Sequence, residues 1–478
     1  MTKKEFKEAM MRGLGRCILE LDCAEDVERY REIVLWGCTR DLSYDAQCEG
    51  TRAWYVRELV RRFPEEKPFV DAVTRKLLSY RPKSGWEFSH YCELLGCFVR
   101  EGNRQASEAL CRKYEELYEI LKARRRPRKN GTLPERDDFE ILCIELIDAA
   151  AHPLNIYLKM AEDIGMLMSE NPILESGSFD WLFTHCEQTY GEGRVRKMLA
   201  EKAKSSPAVK RYFYGELARN NEFREGRSRR PPAPRTTEEI LKRFEEEEKR
   251  EQEAGDSGWK FRSLGLRAHA WIRGTGNTEA LSILAQRYLT EHNSLERAKL
   301  LYVFGPGCPF PLSPEPLIQD AGIGEEVLKD AAFYALDYVR HEKVRQLALE
   351  LAGRNERTSE AISLLANHYQ AEDREILVRL VKSIPVTYED IEGWHGAYST
   401  VLSLLETKGV KSAPRELLPY LYEHTLCSCC RGDILKEMGR RHMITEELLR
   451  ECLYDSSDEI RSYARKLLKN RKRAKIKS

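Results

Sequence analysis

The densest group of metal-binding side chains in the sequence is the run Cys427, Cys429 and Cys430. His424 stands three residues before this run, and His442 stands twelve residues after it. Thiolates and imidazoles bind zinc, and a separation of three residues can place His424 and Cys427 on one face of a helix. Zinc modules usually contain two ligand pairs, however, and no second pair follows here. The sequence therefore predicts structural cysteines, with no metal and no other cofactor.

The ten histidines do not form a catalytic motif. His341 and Glu342 begin like the HExxH motif of metalloproteases, but Arg345 occupies the position of the second histidine. A glutamate at this position is better explained by its favourable interaction with the amino terminus of a helix. The glycine pairs of the chain neither follow a strand nor open a phosphate-binding loop. These observations predict a non-enzymatic protein.

Three basic stretches are the strongest functional signal among the charged residues. Six positive charges lie in residues 122–129, five in 224–235 and eight in 465–477. Such clusters can neutralise phosphates and bind nucleic acid in a salt-dependent way, although charge runs in loops and tails are usually only solvated. The arginines that would contact phosphates are Arg124, Arg125, Arg126, Arg229, Arg230, Arg471 and Arg473. Nucleic-acid binding is therefore kept as an alternative function.

The elements that must position these residues are helices. Apolar residues recur at helical spacing almost everywhere, and paired stripes separated by a polar turn follow one another along the chain. One pair covers residues 139–150 and 154–168, and another covers 359–369 and 374–384. No period-two run bounded by hairpin turns competes with this pattern. The sequence predicts an all-α chain.

Two of the helices share a finer pattern of an apolar residue, an arginine, an alanine and a leucine. The copies are Val344, Arg345, Ala348 and Leu351, and Ile460, Arg461, Ala464 and Leu467. An acidic residue, Glu342 or Asp458, stands two positions before each copy. The copies are 116 residues apart, close to three units of about 40 residues. In these features the chain resembles the HEAT and armadillo family of helical repeats, of the kind found in bacterial HEAT-repeat proteins.

The resemblance implies a right-handed α-α superhelix, a HEAT-like α-solenoid, with two halves joined by a charged linker. We expect an amino-terminal array in residues 1–222, which contains a basic loop at 122–136. An Arg- and Pro-rich linker with a charged surface helix is expected at 223–258, because proline and charge interrupt the apolar pattern there. A carboxy-terminal array at 259–470 and a basic tail at 471–478 complete the predicted organisation.

Composition limits the function further. The chain has 478 residues, a formal net charge of +1 and a mean hydropathy of −0.57. This balance argues against a globally basic protein that wraps nucleic acid. No stretch approaches the roughly 18 apolar residues of a membrane span, so no membrane partner is expected. Fourteen dispersed cysteines without a secretory apolar segment predict a reduced protein in the cytoplasm.

The function expected from this architecture is a protein-binding scaffold or adaptor that presents a solenoid groove to a protein or peptide partner. Tryptophan and arginine dominate interface energetics. The expected contact residues are therefore Trp36, Arg40, Trp54, Trp181, Trp271 and Trp394. Some HEAT-like proteins are DNA glycosylases of the alkylpurine type. That enzymatic alternative requires a tryptophan, an arginine and a carboxylate to converge in one groove.

Overall fold

A computed structural model describes residues 1–82, 86–124, 133–175, 179–228, 233–253, 260–384, 391–407 and 412–477. Throughout these ranges the ordered elements are helices, and no β-strand occurs. The predicted all-α fold class is confirmed. Within the same ranges, none of the helices combines the length and the apolar character needed to cross a membrane.

The contacts divide the chain into two compact units. The first unit contains Met1–Arg230, Leu426–Leu435 and His442–Ser478, and the second contains Pro231–Thr425 and Lys436–Arg441. The handedness of the superhelix and the proposed division into an amino-terminal and a carboxy-terminal array remain predictions.

Fourteen helices precede residue 230 in the described part of the chain, with a 3₁₀ turn at Val27–Tyr30. They are α1 (Lys3–Arg12), α2 (Arg16–Cys23), α3 (Arg31–Cys38), α4 (Ala46–Glu49), α5 (Ala53–Val60), α6 (Lys67–Ser79), α7 (Glu87–Arg100), α8 (Arg104–Ala123), α9 (Pro134–Asp148), α10 (Pro153–Glu170), α11 (Pro172–Glu175), α12 (Asp180–Tyr190), α13 (Glu192–Ala203) and α14 (Pro207–Ser228).

The remaining helices follow in the same way, with a second 3₁₀ turn at Ala371–Asp373. They are α15 (Thr237–Glu253), α16 (Lys260–Thr275), α17 (Thr278–Thr290), α18 (Ser294–Leu301), α19 (Glu315–Ile323), α20 (Glu326–Leu336), α21 (Glu342–Arg354), α22 (Thr358–Asn367), α23 (Arg374–Ser383), α24 (Ile391–Glu406), α25 (Leu417–His424), α26 (Ser428–Arg440), α27 (Glu446–Cys452) and α28 (Asp458–Lys477).

Helix packing in the first unit forms two rows. One row runs through α3, α5, α7, α9 and α12, and the other runs through α6, α8, α10 and α14. Helices that follow one another in sequence also touch across the rows, as α7 and α8 do. Each helix thus buries its apolar stripe against a sequence neighbour and against the next layer, which is the packing typical of α-solenoids.

Local sequence determines where several of these helices begin. Asn103 accepts a hydrogen bond from the backbone N–H of Ala106 at 3.0 Å and so caps α8. Thr2 and Glu5 form a reciprocal capping box at the start of α1. Such caps satisfy backbone donors that have no partner inside the helix. Pro134 and Pro153 begin α9 and α10. Proline suits the first turn of a helix because it lacks the backbone N–H that would have no partner there.

Close helix approach in the first unit depends on glycine. A Cβ atom on Gly165 of α10 would lie 1.9 Å from the carbonyl oxygen of Ala208 in α14. A Cβ atom on Gly15 would lie 2.0 Å from the carbonyl oxygen of Glu451. Both distances are far below van der Waals contact, so only glycine allows these backbones to approach so closely.

The first unit combines the two ends of the chain. Arg16 forms an ion pair with Glu451 at 2.8 Å, and the N–H of Ser456 donates to the carbonyl oxygen of Gly13 at 2.8 Å. Arg431 donates two hydrogen bonds to Asp455, at 3.0 and 2.9 Å, and both side chains are fully buried. The sequence pattern did not predict this closure of the carboxy-terminal helices on the amino-terminal ones.

In the second unit, side-chain hydrogen bonds also join successive elements of the chain. Arg345, the arginine of the repeat pattern, donates to Asp373 at 3.1 and 2.6 Å. Its neighbours Val344 and Ala348 are completely buried. Helix α15 packs on α16 and α17, and it buries Ile240 and Phe244 among the helices of this unit.

Candidate functional site

The first unit contains a groove that combines aromatic, aliphatic and acidic side chains. Its volume is about 330 Å³. The residues that line it are Ala46, Gly50, Thr51, Trp86, Ser89, Glu93, Ile141, Ile144, Glu145 and Trp181. We call this feature the aromatic-acidic groove. Its size is at the lower end of ligand sites in proteins, and it can hold one or two amino-acid side chains.

Three helices supply most of this lining. Trp86 immediately precedes α7, and Ser89 and Glu93 follow it at helical spacing on one face. Ile141, Ile144 and Glu145 lie on one face of α9, which contacts α7. Trp181 is in the first turn of α12, which contacts α9. Adjacent members of one row therefore present these side chains to the same cavity.

Two carboxyl groups reach the groove. Thr51 donates a hydrogen bond from its hydroxyl to Glu93. The Glu145 carboxylate has no hydrogen bond or ion pair with any residue that the structure describes. Gly96 leaves it room, because a Cβ atom there would lie 2.7 Å from Oε2 of Glu145. Arg100 interacts with Glu145 only through its charge, and it donates a hydrogen bond to Sγ of Cys97 at 3.2 Å.

The surroundings of these carboxyls favour their neutral forms. Burial raises the pKa of Glu145 to about 8, and the charge of Glu93 acts in the same direction. Burial also raises the pKa of Glu93, although its hydrogen bond from Thr51 opposes the shift. Asp148, one turn beyond Glu145, differs because His185 and Tyr190 bond to it at 3.0 and 2.8 Å and lower its pKa in spite of burial. The groove therefore holds carboxyl groups for which the protein supplies too little positive charge.

The tryptophans of the described part fall into two groups. In the first group a cation of the chain already covers the ring: Lys7 and Arg40 lie 4.5 and 4.9 Å from the ring centre of Trp36. Arg461 lies 3.7 Å from Trp54 and Arg243 lies 5.2 Å from Trp271.

The second group consists of Trp86 and Trp181, which are 44% and 56% exposed. Among the described residues, no Lys or Arg lies over either ring. Both of these tryptophans line the aromatic-acidic groove.

These positions decide how the predicted contact residues relate to the groove. Trp181 lines it, whereas Trp36 and Arg40 contact each other elsewhere in the first unit. Trp54 packs against Arg461, and Trp271 belongs to α16 in the second unit. Trp394 lies on α24, and its side chain is outside the described residues. Of the predicted set, the structure brings only Trp181 into this cavity.

The predicted nucleic-acid arginines are described only in part. Arg124 forms an ion pair with Glu135, and Arg471 donates to the carbonyl oxygen of Ile444 at 2.7 Å. Arg473 is exposed on α28. The other four lie outside the described residues: Arg125, Arg126, Arg229 and Arg230. None of the described three lines the aromatic-acidic groove.

A larger cavity of about 750 Å³ lies between α8, α9 and α10 in the same unit. The rings of Tyr114 and Tyr118 stack at 6.5 Å beside it, and Tyr114 donates its hydroxyl proton to Asp163 at 2.7 Å. The charged groups that line this cavity include Glu115 and Lys159. Tyr114 and Asp163 are hydrogen-bonded to each other, so this cavity offers a ligand fewer polar groups that need a partner than the aromatic-acidic groove does.

Sequence reasoning missed Trp86, Glu93 and Glu145. The sequence does contain a signal for them. Helix α7 and the residue before it carry, at intervals of three, four and seven residues, Trp86, Ser89, Glu93 and Arg100. An aromatic and acidic stripe of this kind differs from an ordinary solvated face. The sequence does not reveal, however, that the stripe of α7 faces Glu145 of α9 and Trp181 of α12.

Comparisons with known proteins leave the family open. No protein-family model matches the sequence, and no curated protein matches it. A solved crystal structure, described as that of an engineered protein, aligns with 95% of this chain and 97% of its own at 13% identity. Its TM-score of 0.20 is too low to indicate a shared fold. The class defined by the structure is that of an all-helical protein with layered helix packing.

Proposed function

We propose that the protein is a non-enzymatic scaffold that binds a protein partner, and that the aromatic-acidic groove captures a lysine or arginine side chain within an apolar segment of that partner. The observation that carries the proposal is a missing cation. Trp36, Trp54 and Trp271 are each covered by a cation of the chain, whereas Trp86 and Trp181 are exposed and no Lys or Arg of the described ranges lies over them.

The chemistry of the groove matches such a side chain. A cation over a tryptophan face contributes about 0.5–2 kcal/mol, depending on how far it is desolvated. Glu93 and Glu145 would supply the counter-charge, because an incoming cation lowers their pKa and favours the ionised form. Ile141 and Ile144 would contact the aliphatic stem of the captured residue or its apolar neighbours.

The same lining argues against a phosphate ligand. Among the described residues that line the groove there is no Lys or Arg to neutralise a phosphate, and the two carboxyl groups could gain only negative charge. The described basic residue Arg124 is engaged with Glu135. A cationic peptide therefore agrees with the charges better than DNA or RNA does.

Two finer assignments belong to the same proposal. We propose that the helical layers are HEAT-like or armadillo-like repeats, which is supported by the matching positions around Arg345 and Arg461. We also propose a cytoplasmic location, supported by fourteen cysteines, many of them buried as small apolar side chains.

A peptide-display selection tests the proposed function. We expect the purified protein to enrich peptides with lysine or arginine between apolar residues. We expect Trp181→Ala, and the double substitution Glu93→Gln with Glu145→Gln, each to weaken binding of an enriched peptide by at least about tenfold. Trp271→Ala is the matched control for the tryptophan, because Arg243 already covers that ring, and it should bind like the wild type. Enrichment of acidic peptides, or equal loss in the control, would contradict the proposal.

Nucleic acid is tested beside the peptides. Binding of short DNA and RNA is measured by fluorescence anisotropy at about 50 and 200 mM salt, a range in which phosphate contacts weaken steeply. We expect no binding that depends on the groove. Salt-sensitive binding that strengthens when Glu93 and Glu145 become glutamine would favour the nucleic-acid alternative. Release of alkylated bases that Glu145→Gln abolishes would favour the glycosylase alternative.

A further inference from the structure

The larger cavity of the first unit, between α8, α9 and α10, has the size of a small-molecule site. Its volume of about 750 Å³ falls within the range of about 300–1,000 Å³ that is usual for ligand pockets. All of its lining residues belong to the first unit, and it shares none of them with the aromatic-acidic groove. We call it the tyrosine cavity. A ligand bound here is independent of the function proposed above.

Aromatic rings of α8 form one part of the lining. Tyr114 and Tyr118 are one helical turn apart, and their rings stack with 6.5 Å between centres and 27° between planes. The buried ring of Phe139 packs against Tyr114, with 5.0 Å between ring centres. The hydrogen bond from Tyr114 to Asp163, at 2.7 Å, fixes the same ring at its other end. Packing and hydrogen bonding therefore hold this aromatic surface in place before any ligand binds.

The lining from α9 and α10 is mainly aliphatic. Leu146 and the two alanines Ala149 and Ala150 line the cavity at the end of α9, and Ile156 and Met160 line it from α10. The short alanine side chains leave room beside the rings. The unbranched thioether of Met160 can adapt to ligands of different shape. This surface can cover the apolar body of a ligand and remove it from water.

The charge of the lining is negative. It contains three acidic side chains, Glu115, Glu119 and Asp163, and a single basic one among its described residues, Lys159. Other lysines of α8 are engaged with acids outside the lining, since Lys113 pairs with Glu116 at 3.1 Å and Lys122 pairs with Glu170 at 3.2 Å. Excess acidic charge beside a concave apolar surface attracts a cationic ligand and repels an anionic one.

The rings themselves lack a cation from the protein. Arg29 lies 4.5 Å from the ring centre of Tyr30, and Arg297 lies 4.6 Å from that of Tyr288. Within the described ranges, no Lys or Arg lies over the ring of Tyr114 or Tyr118. Burial raises the pKa of both phenols, so both rings are neutral at physiological pH. Neutral aromatic rings attract a cation through their electron-rich faces.

We infer that the tyrosine cavity binds a small organic cation with an apolar body, such as an amine attached to a hydrocarbon or aromatic group. The ammonium group packs against Tyr118, and the carboxyl groups of Glu115 and Glu119 supply the counter-charge. The apolar body contacts the aliphatic residues of α9 and α10. Binding forms no covalent bond and transfers no electron.

Three probes with the same apolar body test the class of ligand. Phenylbutylamine, phenylbutanol and phenylbutyrate are cationic, neutral and anionic at neutral pH, and their binding to the full-length protein is measured by titration calorimetry. We expect the amine to bind at least about fivefold more tightly than the alcohol, and the carboxylate to bind most weakly. Equal affinity for the amine and the alcohol, preference for the carboxylate, or no binding of the amine would overturn the inference.

Alkylation of a cysteine locates the bound amine. Cys111 is exposed and lines the tyrosine cavity, whereas Cys23 is exposed on α2 and does not. A saturating concentration of phenylbutylamine should slow the reaction of Cys111 with N-ethylmaleimide by at least about fivefold, because the occupied cavity excludes the reagent. The reaction of Cys23 should keep its rate, as mass spectrometry of the peptides shows. Trp181→Ala alters only the aromatic-acidic groove and should leave the protection of Cys111 intact. Equal protection of Cys23, or loss of protection in Trp181→Ala, would contradict this location.

Substitutions separate the contribution of the ring from that of the charge. Tyr118→Leu should weaken binding of phenylbutylamine by at least about fivefold, whereas Tyr118→Phe keeps the ring and should bind like the wild type. Glu115→Gln combined with Glu119→Gln changes two exposed residues and should weaken binding of the amine but not of the alcohol. Tyr214→Leu, on an exposed tyrosine of α14, is the matched control. Circular dichroism confirms that the variants are folded. Equal loss for amine and alcohol in the double variant, or unchanged binding in Tyr118→Leu, would refute the proposed contacts.

Discussion

Two carboxyl groups of the first unit, those of Asp455 and Glu145, have opposite environments. Asp455 is fully buried and receives two hydrogen bonds from Arg431, which is equally buried. Glu145 lies in the aromatic-acidic groove without such a partner in the part of the chain that the structure describes, and burial raises its pKa to about 8. A buried carboxylate is costly unless it is paired. The first arrangement serves to join chain segments, and the second leaves a mostly neutral carboxyl group that an incoming cation could ionise.

Trp54 and Trp181 differ in the same way, because one contacts a charged side chain of the protein and the other is exposed in the groove. Arg461 is buried over Trp54, so that ring belongs to the packing between the ends of the chain. Trp181 exposes more than half of its surface in the groove. Residue type alone therefore does not mark a binding residue. The useful criterion is whether the protein itself already satisfies the side chain.

The largest expected effect comes from breaking the paired arrangement. Asp455→Asn removes a buried negative charge that accepts two hydrogen bonds from the buried guanidinium of Arg431, and we expect the free energy of unfolding to fall by about 3–5 kcal/mol. Urea denaturation measures this change. Glu446→Gln removes an exposed pair with Arg450 and should change stability by less than about 0.5 kcal/mol. Similar small changes in both variants would show that the buried pair does not stabilise the first unit.

An effect of opposite sign is expected in the groove. The ordinary pKa of Glu145 is 4.5 in the unfolded chain and about 8 in the folded protein, so its contribution to stability is complete below pH 4.5 and is lost as the pH rises toward 8. Glu145→Gln should therefore stabilise the protein by on the order of 4 kcal/mol at pH 8, because each unit of pKa difference corresponds to about 1.36 kcal/mol, and have little effect at pH 4.5.

The measurement is the difference in unfolding free energy between the wild type and this variant across that pH range. Taking the difference isolates Glu145 from other buried acids, such as Glu140, whose pKa burial raises to about 8. Glu201→Gln, on an exposed side chain, is the matched control and should change the unfolding free energy by less than about 0.5 kcal/mol. Destabilisation by Glu145→Gln at pH 8 would mean that this carboxylate has a stabilising partner.

The smallest expected effect separates the two kinds of tryptophan. Trp54→Leu removes the cation-π contact with Arg461 and should lower stability by about 1 kcal/mol. Trp181→Leu removes an exposed ring without such a contact and should change stability by less than about 0.5 kcal/mol. Thermal unfolding of both variants makes the comparison. A larger loss for Trp181→Leu would show that its ring contributes to packing.

The helices could be predicted almost to the residue where apolar spacing is regular. The expected helix at 154–168 lies within α10, which spans Pro153–Glu170, and the expected helix at 374–384 became α23, which spans Arg374–Ser383. The buried positions of Val344, Ala348, Ile460 and Ala464 also follow from their spacing. In these cases each residue's environment depends on neighbours three or four positions away.

The candidate site was less predictable, because its residues come from helices that are far apart in the sequence. Trp181 was expected as a contact residue, but the sequence does not tell that Trp86, Glu93 and Glu145 join it. The expectation for Trp36 and Trp54 likewise did not include the cations that cover them. Charges and rings from different helices meet only through packing, which local periodicity does not encode.

The sequence by itself determined the helical class, the succession of helix pairs and the lack of a recognisable catalytic motif. These features depend on residue type and short-range spacing. Tertiary structure decided which charges are satisfied. It joined Arg431 to Asp455, buried Glu145 so that its pKa rises, and brought Cys48 to Cys429 across 381 residues. Such contacts depend on how distant helices stack, and that stacking sets the local dielectric and the available partners on which pKa, ligand affinity and stability depend.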